Sequence, residues 1–229
     1  SVVYDLIYDS ASNRYLAVYT RSGDIFGQLL DADGSAYGEE FAICSNSASN
    51  AGPTGTFDTV NNRFLVVWTD MRDGGADSNI YGQLVDTEGD LYDPDDSDGT
   101  DLTDPTVNMQ LTTDISSDVF PSVAFDETNQ VYLLVYVFDD FTANPDDIYG
   151  QLLDVNGAVS GNRFPVSADT YPQKNPKVIN DSENNRFLVV WQDERNGNWD
   201  VFGQIVTATG VIYDHNDDGY NQYNADNFG

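Results

Sequence analysis

The chain is poor in the residues from which most catalytic and metal centres are built. Of its 229 residues only one is histidine, His215, and one is cysteine, Cys44. A lone histidine removes histidine-based triads, because no serine or cysteine nucleophile then has a base to take its proton. It also removes histidine-rich zinc or iron sites. A lone cysteine excludes an internal disulfide framework. Cys44 follows the apolar Phe41-Ala42-Ile43, so it is expected to be buried and inert, with an intermolecular bridge as the lesser alternative. Positive charge is equally scarce. Nine Lys and Arg face 39 Asp and Glu, a formal net charge of −30, and Lys174 and Lys177 supply all the lysine. Such a surface repels nucleic acid and anionic membrane, since neutralising phosphate requires a basic patch. It suits divalent cations, or a salt-rich milieu that screens self-repulsion. No apolar run approaches the roughly 18 residues of a membrane span, and glycine-rich phosphate loops are absent. The chain opens on Ser1 without a targeting segment, the expectation for a processed mature protein or a piece of a larger one.

What is present is a sentence written four times. Asn13–Leu30 reads NRYLAVYTRSGDIFGQLL, and Asn62–Val85 reads NRFLVVWTDMRDGGADSNIYGQLV. Gln130–Leu153 reads QVYLLVYVFDDFTANPDDIYGQLL, and Arg186–Val206 reads RFLVVWQDERNGNWDVFGQIV. The Gly-Gln pairs at Gly27-Gln28, Gly82-Gln83, Gly150-Gln151 and Gly203-Gln204 are spaced by 55, 68 and 53 residues. A further short strand precedes each apolar run (Tyr4–Tyr8, Thr54–Phe57, Ser122–Phe125, Lys177–Ile179) and ends at Asp9, Asp58, Asp126 or Asn180-Asp181. A fourth run follows in three repeats, at Glu40–Cys44, Val107–Leu111 and Arg163–Val166, while the last repeat has no obvious fourth strand after Val206. The repeat is therefore four strands joined by Asn-, Asp- and Gly-rich turns, with no helical period anywhere.

The second strand carries the architectural information. Along Phe64-Leu65-Val66-Val67-Trp68 successive side chains point to opposite faces, yet both faces are apolar. Phe187–Trp191 and Tyr132–Tyr136 behave alike. A sheet with one wet face would alternate, so these strands are expected to be covered on both sides, as four-stranded blades cover one another in a propeller. A strand glycine at the same place in every repeat points to close approach between adjacent sheets, and the glutamine beside it to capping of loop backbone groups.

The recurring N-R-F-L-V-V-W, D-x-R-x-G and D-I-Y-G-Q pieces resemble the secreted β-propeller repeat proteins of bacteria and archaea, over nearly the whole chain. That class includes sialidase-like, integrin-like and lectin propellers. The sialidase Asp-box and the tryptophan–aspartate repeat signature are both absent, which weakens any transfer of activity from those families. The expected fold is an all-β propeller of four repeats of about four antiparallel strands, in one domain spanning 1–229 with repeats near 1–50, 51–118, 119–172 and 173–229. The alternatives are an arc of a larger propeller, a solenoid-like stack, or a pair of β-sandwiches.

Three constellations are candidates for chemistry. Asp214-His215-Asn216-Asp217-Asp218-Gly219 matches the opening of a calcium loop, in which alternate oxygens point inward and glycine permits the turn. Its twelfth position is Ala225 instead of Glu, so it resembles the short calcium loops outside EF-hands, with Asp214, Asn216 and Asp218 as ligands. A relative at Asp93–Gly99 offers Asp93, Asp95 and Asp98, and Asp31–Gly34 is a weaker echo. Against these stands the plain role of Asp-Gly pairs in turns. The second constellation is Asp70-x-Arg72 with Asp193-x-Arg195, expected to pin loops and alternatively to bind a carboxylate or sugar. The third is aromatic: Tyr19, Trp68, Tyr136 and Trp191 recur at strand ends and read mainly as core. Trp199 lies in a variable turn where nothing in the repeat demands it. Trp199, Trp68 and Trp191 are the candidate glycan-stacking residues.

No catalytic residue is assigned, although paired carboxylates for glycoside hydrolysis remain open in so acidic a chain. The expected function is a non-enzymatic, calcium-stabilised module, extracellular or on a cell surface, engaging another protein, a copy of itself or a glycan. The alternatives are a lectin and a glycosidase-like hydrolase.

Overall fold

A computed structural model describes residues 2–74, 77–94, 102–113, 116–139, 141 and 146–213, together with the backbone of 226–227. Every regular element among these residues is a β-strand. Sheet A is built from β1 (Val2–Asp9), β2 (Arg14–Arg21), β3 (Asp24–Leu30) and β4 (Ala36–Cys44), paired in that order. Sheet B holds β5 (Asn50–Asp58), β6 (Arg63–Asp70), β7 (Asn79–Asp86), β8 (Leu91–Tyr92) and β9 (Met109–Gln110). Sheet C holds β10 (Ser117–Asp126), β11 (Val131–Asp139), β12 (Asp147–Leu153) and β13 (Val159–Ser167). Sheet D holds β14 (Gln173–Asp181), β15 (Arg186–Asp193), β16 (Asp200–Thr207), β17 (Ile212–Tyr213) and β18 (Asp226–Asn227). The all-β, four-sheet expectation holds.

The last repeat does have an outer strand, contrary to expectation, because that strand is split. In sheet D, Ile205 and Val206 pair with Tyr213 and Ile212, while Phe202 and Gly203 pair with Asn227 and Asp226. Sheet B is divided at the same register: Leu84 and Val85 pair with Tyr92 and Leu91, and Tyr81 and Gly82 with Gln110 and Met109. In sheets A and C the outer strand is continuous and only bulged. Two-residue strands leave no periodicity to read, which is why sequence inspection passes over them.

The first hairpin of each sheet shows how locally the fold is encoded. The aspartate ending the inner strand accepts backbone N–H groups two and three residues on: Ala11 and Ser12 donate to Asp9 (2.8 and 3.0 Å), Val60 and Asn61 to Asp58 (2.9 Å each), Thr128 and Asn129 to Asp126 (2.9 and 3.1 Å). The chain then turns through a left-handed residue, Asn13, Asn62, Gln130 or Asn185 (φ 51–55°). Asparagine tolerates that region better than most side chains, and the turn Asp replaces the missing backbone ladder.

The Gly-Gln pair acts within its own sheet. A Cβ on Gly27 would lie 2.6 Å from the Phe41 ring, and one on Gly150 would lie 2.8 Å from Phe164, both on the outer strand of the same sheet. The expected close approach between sheets is thus corrected: the glycine lets a bulky outer-strand side chain fold over β3 or β12. The glutamine beside it ties that strand down. Gln28 Nε2 donates to the carbonyls of Leu29 and Tyr37 (2.9 and 3.1 Å), Gln83 to Leu84 and Tyr92 (3.2 and 3.3 Å). Gln151 donates to Leu152 and Ser160 (2.9 and 3.2 Å), and Gln204 to Ile205 and Tyr213 (3.2 and 2.7 Å). The amide N–H groups of each glutamine, buried in Gln83, Gln151 and Gln204 and half-buried in Gln28, are thereby satisfied, at about 1 kcal/mol per bond.

The chain divides into two compact units, one of sheets A and B, the other of sheets C and D. Inside each unit an aliphatic face meets an aromatic one. In the first, Ile7, Leu16, Val18, Ile25 and Leu29 of sheet A pack with Phe57, Phe64, Trp68 and Tyr81 of sheet B. In the second, Ala124, Leu133, Val135 and Ile148 of sheet C pack with Phe187, Trp191 and Phe202 of sheet D. Burying side chains of this size is worth roughly 1.5–3 kcal/mol each. β6 is buried at all eight positions, as its two-sided apolar pattern requires.

Candidate functional site

The paired Asp-x-Arg turns form a buried clamp. Asp70 Oδ2 accepts Trp68 Nε1 (3.0 Å) and Arg72 Nη2 (2.7 Å), while Asp70 Oδ1 takes the Arg72 backbone N–H (2.8 Å). In sheet D, Asp193 accepts Trp191 Nε1 (3.1 Å), Arg195 Nη2 (2.5 Å) and the Arg195 N–H (2.9 Å). The guanidinium of Arg72 lies 4.0 Å from the Tyr81 ring and that of Arg195 4.2 Å from Phe202. Each arginine also reaches the end of the outer strand of the other sheet in its unit: Arg72 meets Cys44 Sγ (3.4 Å) and Arg195 meets Ser167 Oγ (3.2 Å). Burial alone would lift the Asp193 carboxyl, but hydrogen bonds from Arg195 and Trp191 outweigh it and hold Asp193 below the usual carboxylate range. Burial pushes the Cys44 thiol up to about 12, so the expected buried, inert cysteine is what the structure contains.

This geometry corrects two of the three glycan-stacking candidates. Trp68 and Trp191 are 0% and 1% exposed, with their indole N–H groups spent on Asp70 and Asp193. Neither presents a ring to a ligand, because both are core side chains of an aromatic face. Trp199 differs. It is 42% exposed and the Lys174 ammonium sits 3.5 Å from its ring centroid, close enough for a cation–π contact. Lys174 pairs with Gln192 across β14 and β15, and Asn175 Nδ2 donates to Gln192 Oε1 (3.2 Å). An exposed indole, a cation and two amides thus share one end of sheet D. Next to the indole, Asn196 Nδ2 donates to Asp200 Oδ2 (2.9 Å).

Most of the candidate calcium ligands, Asp214, Asn216, Asp218, Asp95 and Asp98, lie outside the described residues. Asp93 is described, and its Oδ2 accepts the Leu102 backbone N–H (3.1 Å). The echo at Asp31–Gly34 is a turn in which Asp33 Oδ1 accepts the Ser35 N–H and hydroxyl (2.9 and 2.6 Å). Among the described residues no three His, Cys, Asp or Glu side chains converge as a metal site.

Sequence reading missed a bulge motif. Gly52, Phe120 and Asn175 each have positive φ (60°, 55° and 54°), each precedes a proline, and each falls at a register shift in the inner strand. The signal was available as the recurring Pro53, Pro121 and Pro176. Phe120 is bulky for this region, and it is 56% exposed.

No protein-family model matches the chain, and no curated protein matches it. Solved structures do. An endo-arabinase from Bacteroides thetaiotaomicron aligns at TM-score 0.61 and 13% identity, covering 90% of this chain and 74% of that one. An N-acetylgalactosamine deacetylase from F. plautii, solved with blood group B trisaccharide, aligns at TM-score 0.62 and 13% identity, covering 91% and 67%. TolB from Acinetobacter baumannii aligns at TM-score 0.52 and 13% identity, covering 90% and 41%. The fold is a β-propeller type. At such identity the likeness extends to fold and no further, and TolB stands beside sugar-acting enzymes in it.

Proposed function

We propose that the chain engages carbohydrate, with the Trp199 end of sheet D as its contact. The observation that carries this reading is the contrast among the three tryptophans: two are locked into the core, and Trp199 is left exposed beside Lys174, Asn175 and Gln192. An aromatic face stacks on the apolar face of a pyranose or furanose ring, and amides and an ammonium supply directional bonds to its hydroxyls. The sugar-acting proteins among the fold neighbours support the choice of ligand class. Titration calorimetry with arabinan and galactose-containing oligosaccharides tests it. Trp199→Ala should weaken binding at least tenfold while leaving thermal unfolding unchanged; unaltered affinity would remove the site.

A second reading, glycoside hydrolysis, is favoured by the arabinanases that share the fold. It requires two carboxylates flanking one bond. Asp9, Asp126, Asp70 and Asp193 are engaged in turns and clamps, so turnover would have to come from other acids. Release of reducing ends from arabinan would establish it. Calcium binding by the Asp214 and Asp93 loops, with a location outside the cell, completes the proposal. The −30 charge supports the metal, and the resemblance to secreted repeats supports the location.

A further inference from the structure

We infer that the sugar engaged at the Trp199 end of sheet D is an anionic one, a glycan whose carboxylate or sulfate is held by the two lysines of the chain. The inference rests on the carbohydrate reading above and names the class of its ligand. With a net charge of −30, any cation has carboxylates to pair with, and the arginines do so. Arg14, Arg21, Arg63, Arg72, Arg186 and Arg195 each meet an Asp or Glu at 2.5–3.6 Å, and Arg163 lies over the Phe138 and Tyr149 rings. Lys174 and Lys177 differ: among the described residues neither forms an ion pair. Both stand on β14 and face away from sheet C. Lys174 pairs with Gln192 and Lys177 with Val190, whereas the alternate residues Phe187, Val189 and Trp191 of β15 fill the junction with sheet C.

These positions depart from the repeat. Lys174, Gln192 and Val201 form one row across β14, β15 and β16. The same row reads Ala51, Thr69 and Ile80 in sheet B, and Val119, Val137 and Ile148 in sheet C. Lys177 stands where those sheets carry Thr54 and Ser122. Sheets B and C form without a cation here, so the fold does not call for one, just as it does not call for Trp199. The departures meet at one place. The Lys174 ammonium lies 3.5 Å from the Trp199 ring centroid, over one face of an indole that is 42% exposed. The Lys177 row lies two residues further along β15, roughly 7 Å away. Acids of the adjoining turns are engaged: Asp169 and Asp193 by Arg195 (3.5 and 2.5 Å), Asp200 by Asn196 (2.9 Å). An anionic group here meets two ammonium groups that no described carboxylate holds, while its ring stacks on the indole. Lysine is a point charge without a fixed fork, so carboxylate and sulfate both suit it. The −30 charge opposes such a ligand only at long range. The Debye length at physiological ionic strength is about 8 Å, whereas an ammonium–anion contact is made at hydrogen-bond distance.

Titration calorimetry of the whole chain in about 0.15 M NaCl with excess chelator tests this. The probes are oligogalacturonate, its fully methyl-esterified form, which keeps the rings and loses the charge, and sulfated galactan oligosaccharides. The acid should bind about tenfold tighter than the ester. Lys177→Met leaves the Lys174–Trp199 contact in place, and it should weaken the acid about threefold without changing the ester. Lys174→Met should weaken the acid at least as much, and neither variant should alter thermal unfolding. Sulfated galactan that follows the acid, lysine for lysine, would support the site and add sulfate to its ligands. Acid and ester bound equally, and both weakened by Trp199→Ala, would overturn the inference and leave the carbohydrate reading standing. No binding of any probe would remove that reading and the inference with it. An acid preference that survives both lysine variants, or that needs calcium in place of chelator, would also overturn it, because the anion would then be held elsewhere or through metal.

Discussion

Sheets A and C differ from sheets B and D in two coupled ways. A and C end in continuous outer strands, β4 and β13, and carry Tyr19 and Tyr136 where B and D carry Trp68 and Trp191. B and D add the Trp-Asp-Arg clamp and split their outer strand around acidic segments. The clamp arginines end on Cys44 of sheet A and Ser167 of sheet C, which occupy one register position. The polar fastening of each unit is therefore supplied by its second sheet and received by its first. The structural period of this protein is the pair of sheets, and the four-strand repeat is its half.

The largest effect should come from breaking the clamp. Asp70→Ala or Asp193→Ala leaves a buried tryptophan N–H without its acceptor and takes from the arginine its nearest carboxylate, although Arg72 keeps Asn108 and Arg195 keeps Asp169, and urea denaturation should show a loss of about 3 kcal/mol. In sheet A, Arg21 and Glu40 pair at 2.6 Å with both side chains about 40% exposed, so Arg21→Ala should leave the urea midpoint near wild type. The clamp also sets the acid limb. Asp193 is held low in the folded state, so its contribution is present above the unfolded carboxylate range and is lost as pH falls through the lower folded value. Asp193→Asn should flatten the acid limb of a stability–pH profile, and an unchanged limb would deny the clamp that role.

Gly27→Ala and Gly150→Ala should each cost about 1–3 kcal/mol by driving a methyl into Phe41 or Phe164. Gly82→Ala, facing a Leu111 methyl at 3.0 Å, should cost less. Phe120→Asn, placing at the sheet C bulge the residue that sheet D uses, should stabilise by about 1 kcal/mol in thermal unfolding. Smallest of all, Cys44→Ser should shift stability by no more than about 1 kcal/mol, because Ser167 does the same work in the second unit. With its thiol pushed up to about 12, native Cys44 should also resist alkylation at pH 8 that the urea-unfolded chain undergoes.

Much of this was legible in the chain. The two-sided apolar pattern of Phe64–Trp68 required covered sheets, and four Gly-Gln pairs required four repeats. Trp199 stood out because the repeat did not need it. The split outer strands were not legible, since Leu91–Tyr92 and Ile212–Tyr213 are too short to show a period. Nor was the role of the recurring glycine, because strand alternation says which side a residue faces and not which neighbour comes close.

Local chemistry was determined by sequence alone: turn aspartates, left-handed asparagines and strand glutamines act over a few residues, so their spacing carries their meaning. The fate of Trp68 and Trp191 and the pairing of Cys44 with Arg72 were decided only in three dimensions. Each depends on which sheet packs against which, and residues far apart in the chain meet there without leaving a mark on its periodicity.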